Sequence, residues 1–210
     1  MSGLFITIEG TDGSGKTTQI KLLQKYLEEK GFNVVCTREP GGTPISEKIR
    51  EIIIDKNNDE MTDMTEALLY AAARAQHTEE VILPSLKEGS VVISDRFTDS
   101  SVVYQGFARS MGERLIKNIN KYAVGDLEPD ITFLLKLKPE DGLSRKRKQA
   151  ELDRLEAEKF SFHQRVYDGY VRLSKRCKNR IKVIDALKPV EEVHLEIKEG
   201  INELLEKNGI

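Results

Sequence analysis

The 210-residue chain is short of the residue types that mark several protein classes. Its two cysteines, Cys36 and Cys177, are far apart and outside any C-x-x-C pattern. That argues against a disulfide scaffold or a dithiol redox site, and both thiols are expected to be free in a reducing compartment. The three histidines, His77, His163 and His194, show no metal-ligand spacing. The formal net charge is -2, so the chain lacks the basic surface of a protein that coats nucleic acid. No apolar run approaches the roughly 20 residues that cross a bilayer, and no cationic leader or cleavage site precedes the first apolar segment. The expectation is a cytoplasmic protein with no membrane or nucleic-acid partner.

What is present is an alternation of short apolar runs with long amphipathic stretches, the pattern of an α/β protein with a parallel sheet. Five strands are expected at Leu4–Glu9, Asn33–Thr37, Val91–Asp95, Ile131–Leu137 and Ile181–Asp185, each covered on both faces. Helices are expected over Lys16–Lys30, ended by Gly31, over Ser46–Ile54, and over Thr65–Lys87 with a break at Pro84. A last one covers about Val190–Lys207. Residues 142–159 are rich in arginine and lysine and poor in apolar residues, a solvated, weakly anchored helical lid. No linker divides the chain, so residues 1–210 are read as one domain.

The strongest motif is Gly10-Thr11-Asp12-Gly13-Ser14-Gly15-Lys16-Thr17, followed by Thr18, between an apolar strand and an amphipathic helix. It satisfies the phosphate-loop pattern in full. Glycines let successive N–H groups point at phosphate oxygens, and the helix start adds the positive end of its dipole. Lys16 is suited to the β- and γ-phosphates of ATP, and the Thr17 hydroxyl to Mg²⁺. Asp95 ends the third strand, where a carboxylate holds Mg²⁺ directly or through water, or merely caps a turn. The guanine-specifying N-K-x-D pattern is missing, as is an acidic strand ending in Asp-Glu. Both absences turn the reading from switch GTPases and helicases toward a phosphotransferase.

Ligands of open parallel sheets bind beyond the carboxyl ends of the strands. There the second strand delivers Arg38, Glu39 and Pro40, and the third delivers Asp95 and Arg96, then Ser100, Ser101, Tyr104 and Gln105. Several arginines thus converge as transfer between two phosphorylated nucleotides requires. Tyr70 and Arg74 share a helix face and could stack on and hydrogen-bond a base, or could be a core tyrosine and a solvated arginine.

The segments IEGTDGSGKTT, TREPGGT, AAARAQH, SDR, SSVVYQG and LDRLEAEKFSFH together resemble the bacterial form of thymidylate kinase, in order and over almost the whole chain. The resemblance implies a P-loop three-layer α/β/α fold with a five-stranded parallel sheet and a helical lid. It also implies transfer of the γ-phosphate of ATP to dTMP with Mg²⁺, and a homodimer. Arg38, Arg50 and Arg96 would hold the acceptor phosphate, with Glu39 and Pro40 shaping the loop. Tyr70 stands where the family usually has phenylalanine and would stack on thymine. Arg74 would donate to the thymine O4 edge, Ser101 and Gln105 would complete recognition of the base, and Ser100 would belong to the same acceptor site. Tyr104 would lie near the sugar 2′ position and Asp12 near sugar and phosphate. The phosphate loop has no arginine of its own, so Arg145, Arg147 and Arg154 of the lid would supply catalytic charge beside Lys16 and Arg96. The alternative use of those residues is i,i+4 pairing, Arg147–Glu151 and Arg154–Glu158, on a solvated helix. Two other functions compete: a kinase of the same fold for a different acceptor, and a nucleotide-dependent switch whose hydrolysis ignores any monophosphate.

Overall fold

A computed structural model describes residues 3–147 and 153–209, the side chains of 146 and 147 lying outside the description. Five parallel strands form the sheet: β1 (Leu4–Gly10), β2 (Val34–Arg38), β3 (Val91–Asp95), β4 (Ile131–Lys136) and β5 (Ile181–Asp185). Their order is β2-β3-β1-β4-β5, with Leu4 opposite Val91 and Ile6 opposite Ile131. The helices are α1 (Lys16–Glu29), α2 (Pro44–Ile54), α3 (Asp63–His77), α4 (Leu83–Lys87), α5 (Thr98–Ser101), α6 (Glu113–Val124), α7 (Pro139–Arg147), α8 (Phe160–Arg176) and α9 (Val190–Lys207).

Alternation along β1 builds two cores. Leu4, Ile6 and Ile8 face Ile20, Leu23 and Leu27 of α1 and Val193, Ile197 and Ile201 of α9. Phe5 faces the other way, against Val92, Phe97 and Ile82. A third cluster joins α8, through Phe162, Val166 and Tyr170, to Val102, Val103 and Leu134. Buried side chains of this size each contribute about 1.5–3 kcal/mol.

The strands follow the apolar runs, but burial on both faces holds only at the centre of the sheet. The edge strands β2 and β5 are partly open, and Cys36 on β2 is exposed. Both cysteines are free thiols. The α1 helix ends at Gly31, whose φ of 90° lets Phe32 N–H reach back to the Leu27 carbonyl. Thr43 and Thr62 cap α2 and α3 by accepting from Ser46 N and Thr65 N.

Two expectations need correction. The long helix over Thr65–Lys87 ends at His77 and passes through a π-helical segment, Thr78–Ile82, before α4. Pro84 directly follows this segment, where the backbone stays helical and the proline has no N–H to give to the turn before it. Nor is the lid a single solvated helix over 142–159. Its helix starts at Pro139, and residues 153–159 form turns with Leu155 and Glu156 buried. A second π-helical segment, Val102–Ala108, and helices α6 and α8 were not anticipated.

Candidate active site

The sheet order reverses between β1 and β3, and a cavity of about 420 Å³ opens beyond their carboxyl ends. Its floor is the phosphate loop, represented by Asp12, Gly13, Gly15, Lys16, Thr17 and Thr18. Gly10, Thr11 and Ser14 shape the loop from behind. Thr11 donates to the Leu137 carbonyl, and the Ser14 hydroxyl is buried without a partner among the described residues. The loop passes so close to α7 that a Cβ on Gly13 would lie 2.4 Å from the Gly142 oxygen. A Cβ on Gly142 would lie as close to the Asp12 oxygen, so both positions require glycine. The Lys16 ammonium is buried and, among the described residues, donates only to the Gly10 and Thr11 carbonyls, at 3.3 Å each. Burial and the nearby Arg96 charge lower its pKa, so an anion placed here would stabilise the charged form.

Beside the loop stands Arg96, at the end of β3, with a φ of 73° that few non-glycine residues adopt. Its guanidinium donates to Asp12 at 2.6 Å, Tyr170 at 3.1 Å and Ser100 at 3.2 Å, and lies over the Tyr104 ring. Behind it, Glu9 accepts from Ser100, Tyr170 and the Phe97 N–H. Burial and the Asp99 charge push the Glu9 carboxyl up. Asp95 lines the same cavity, and its Oδ1 is buried without a partner among the described residues. A lone carboxylate and the Thr17 hydroxyl suit Mg²⁺, which completes its shell with substrate phosphates and water. Among the described residues no group of three or more His, Cys, Asp or Glu could hold an ion unaided.

The second cation pair is gathered by the loop after β2. Arg38 and Arg50 both donate to the Pro40 carbonyl, at 2.6 and 3.1 Å, and Arg38 also pairs with Glu47. Glu39 lines the cavity too but is buried, held by Arg74 at 2.7 Å and His77 at 3.2 Å. Arg74 is fully buried and donates further to Asn120 and the Phe97 carbonyl, so it is neither solvated nor mobile. It lines the cavity together with Tyr70, Ser101, Tyr104 and Gln105. Burial keeps the Tyr70 and Tyr104 phenols neutral by raising both pKa values.

The lid arginines part company. Arg145 sits at the loop's outer edge, donating to the Gly13 and Ala186 carbonyls at 3.3 and 3.4 Å. Arg154 is held away from the phosphate loop, by the Ile53 carbonyl at 2.8 Å and Glu66 at 2.7 Å. The pairing of Arg154 with Glu158 is not formed, because Glu158 takes Arg109 instead. The Arg147 side chain and its supposed partner Glu151 lie outside the described residues.

Several residues of the site escaped the sequence reading. Asp153 and Glu156 line the same cavity as Tyr70, and burial with the Glu156 and Asp12 charges raises the Asp153 pKa. Glu9, Asn120 and Tyr170 orient the arginines from behind. Only Glu9 carried a signal, as a carboxylate inside an apolar strand.

The family model for thymidylate kinase matches residues 8–197. A thymidylate kinase of Geobacillus sp. (strain WCH70) is 51% identical over 195 residues, 92% of this chain and 93% of that one. One of Clostridium novyi (strain NT) is 48% identical over 198 residues, 93% and 97% of the two chains. The crystal structure of thymidylate kinase from Ehrlichia chaffeensis superposes with a TM-score of 0.78 at 35% identity, covering 96% of this chain and 99% of that one.

Proposed function

The chain belongs to the thymidylate kinase family and phosphorylates dTMP to dTDP with ATP; we propose that the cavity beyond β1 and β3 carries this out by direct in-line transfer. One observation carries the reading: the phosphate loop and three arginines, Arg38, Arg50 and Arg96, open on a single cavity whose far end presents Tyr70, Arg74 and Gln105. Gly10 to Thr18 hold the ATP phosphates, with Lys16 donating to the β- and γ-phosphates. Arg38, Arg50 and Arg96 receive the acceptor phosphate, and Asp12 fixes the Arg96 guanidinium through their ion pair. Tyr70 stacks on the base, Arg74 donates to its O4 edge, and Gln105 meets its ring N–H. Ser100 and Ser101 support that end, and Tyr104 closes it near the sugar. No strong general base is needed, because the acceptor is already an ionised phosphate. Thr17 and Asp95 would hold Mg²⁺, which supplies charge neutralisation between the β- and γ-phosphates when bound. Arg145, at the loop's edge, is the lid arginine best placed to reach the donor nucleotide, and Arg154 serves the acceptor side instead.

Residues 1–210 act as one kinase domain in this reading, with 142–159 as the lid. A homodimer is supported by a stripe of exposed apolar side chains along adjacent helices: Ile45 and Ile52 on α2, Met64 and Leu68 on α3, and Leu115 on α6. Among the described residues no helix is long and apolar enough to cross a membrane, and the reading places the enzyme in the cytoplasm.

The test is ADP formation from Mg·ATP with dTMP, dUMP, dCMP, AMP, GMP or no acceptor. Strong stimulation by dTMP, lost in Arg74→Ala, is the expected outcome. A rate indifferent to every acceptor would mean a hydrolase or switch, and stimulation by a different monophosphate would overturn the base pocket.

A further inference from the structure

Behind the base end of the cavity lies a carboxylate that none of the motifs includes. Glu66, in the first turn of α3, is 1% exposed. Its Oε1 accepts from Gln105 Nε2 at 2.9 Å and Arg109 Nε at 3.3 Å. Its Oε2 accepts from Arg109 Nη2 at 3.1 Å and Arg154 Nη2 at 2.7 Å. Burial alone would push this carboxyl up, but the hydrogen bonds from Gln105, Arg109 and Arg154 hold it below the usual range.

An ionised carboxylate only accepts hydrogen bonds, so Gln105 must turn its NH₂ toward Glu66. The two guanidiniums reinforce this, because they donate and never accept. The Gln105 side-chain oxygen is what remains for the cavity that Gln105 lines, and no described residue donates to it. The pocket therefore presents an acceptor beside the donors of Arg74. A thymine or uracil ring offers the complement, N3–H beside O4. Cytosine reverses both groups, with a bare N3 beside an N4 amine.

We propose that Glu66 is the positioning residue for base selectivity: by anchoring the Gln105 amide nitrogen it fixes the oxygen toward the base, admitting N3–H pyrimidines and refusing cytosine. This rests on the reading of Gln105 as a base contact. Replacing Glu66 by glutamine makes the logic testable. The new amide loses least by turning its oxygen to Arg109 Nη2 and Arg154, giving up the longer Arg109 Nε contact and leaving its NH₂ against Gln105. Gln105 then flips and shows the base a donor.

The experiment measures kcat/KM for dTMP, dUMP and dCMP in wild type, Glu66→Gln, Gln105→Ala and the double variant. In Glu66→Gln the dTMP and dUMP values should fall together, on the order of 10- to 100-fold, as expected when a buried donor loses its acceptor. The dTMP:dCMP ratio should collapse, the dTMP:dUMP ratio should hold, and the KM for ATP should stay within about 2-fold of wild type. In the Gln105→Ala background the Glu66 substitution should no longer move the dTMP:dCMP ratio. A Glu66→Gln enzyme that keeps its dTMP:dCMP ratio, while Gln105→Ala loses it, overturns the proposal and spares the base contact. A Gln105→Ala enzyme with unchanged selectivity overturns the base contact and the proposal together. Should Glu66→Gln fail to fold, the wild type decides by hydrogen exchange at the Gln105 side-chain NH₂, identified by its loss in Gln105→Ala. Slow exchange places the amide on the carboxylate, and free exchange with cavity water refutes it.

Discussion

The two ends of the cleft hold their cations differently. At the end read as the acceptor's, three of the four arginines of the pocket wall meet a carboxylate: Arg38 meets Glu47, Arg74 meets Glu39 and Arg96 meets Asp12. Arg50 rests on the Pro40 carbonyl, and behind the wall Arg109 and Arg154 share Glu66. At the donor end Lys16 and Arg145 rest on backbone carbonyls at 3.3–3.4 Å, with no carboxylate within bonding distance among the described residues. The first arrangement fixes geometry before any ligand arrives, which suits discrimination between planar bases. The second leaves the cations without a carboxylate in contact, Lys16 feeling Asp95, Asp12 and Glu9 only at a distance, which suits a polyanion that brings its own compensation. Preorganised specificity and unspent charge are thus separated along one cavity.

The largest effect that would sharpen this contrast is expected from Lys16→Ala. It should lower kcat roughly 1,000-fold while leaving thermal stability unchanged or raised, since it removes a buried charge that burial and Arg96 disfavour and that hydrogen-bonds to carbonyls rather than to a carboxylate. A marked loss of stability would break the comparison. The acceptor end should behave in the opposite way. Glu39→Ala leaves the buried Arg74 guanidinium without its carboxylate and should cost about 3 kcal/mol of folding stability, read by urea denaturation. A cost under about 1 kcal/mol would mean that Asn120 and the Phe97 carbonyl suffice to hold Arg74. The smallest effect is expected from Arg145→Ala, whose contacts are long and partly exposed. It should raise the KM for ATP about 3- to 10-fold with the KM for dTMP and the melting temperature unmoved. A change in dTMP binding instead would assign Arg145 to the wrong end.

Much of this cleft was legible before the fold was known, though unevenly. The phosphate loop could be read because its chemistry is written in consecutive residues, and Asp95 because a carboxylate ending an apolar strand reaches the same edge of the sheet. The arginines after β2 and β3 followed from that rule as well. Arg154 shows where such reading stops. Its spacing from Glu158 fits a helical ion pair, yet residues 153–159 are not helical, and each partner takes a charge from elsewhere. Burial of Arg74 was also out of reach, because i,i+4 spacing with Tyr70 says which face they share but not what covers it.

The sequence by itself determined the parallel α/β alternation, the phosphate loop and the arginines delivered at the carboxyl ends of β2 and β3. Each depends on local backbone preference or on strand polarity, which short segments encode. Only the tertiary structure decided which carboxylate restrains which cation. Gln105 and Glu66 are 39 residues apart, and Arg154 and Glu66 are 88 apart. They meet because the strand order and the packing of α3 against the Val102–Ala108 segment bring them together. The same packing excludes water, and in that drier setting a paired charge is held more firmly than in solvent.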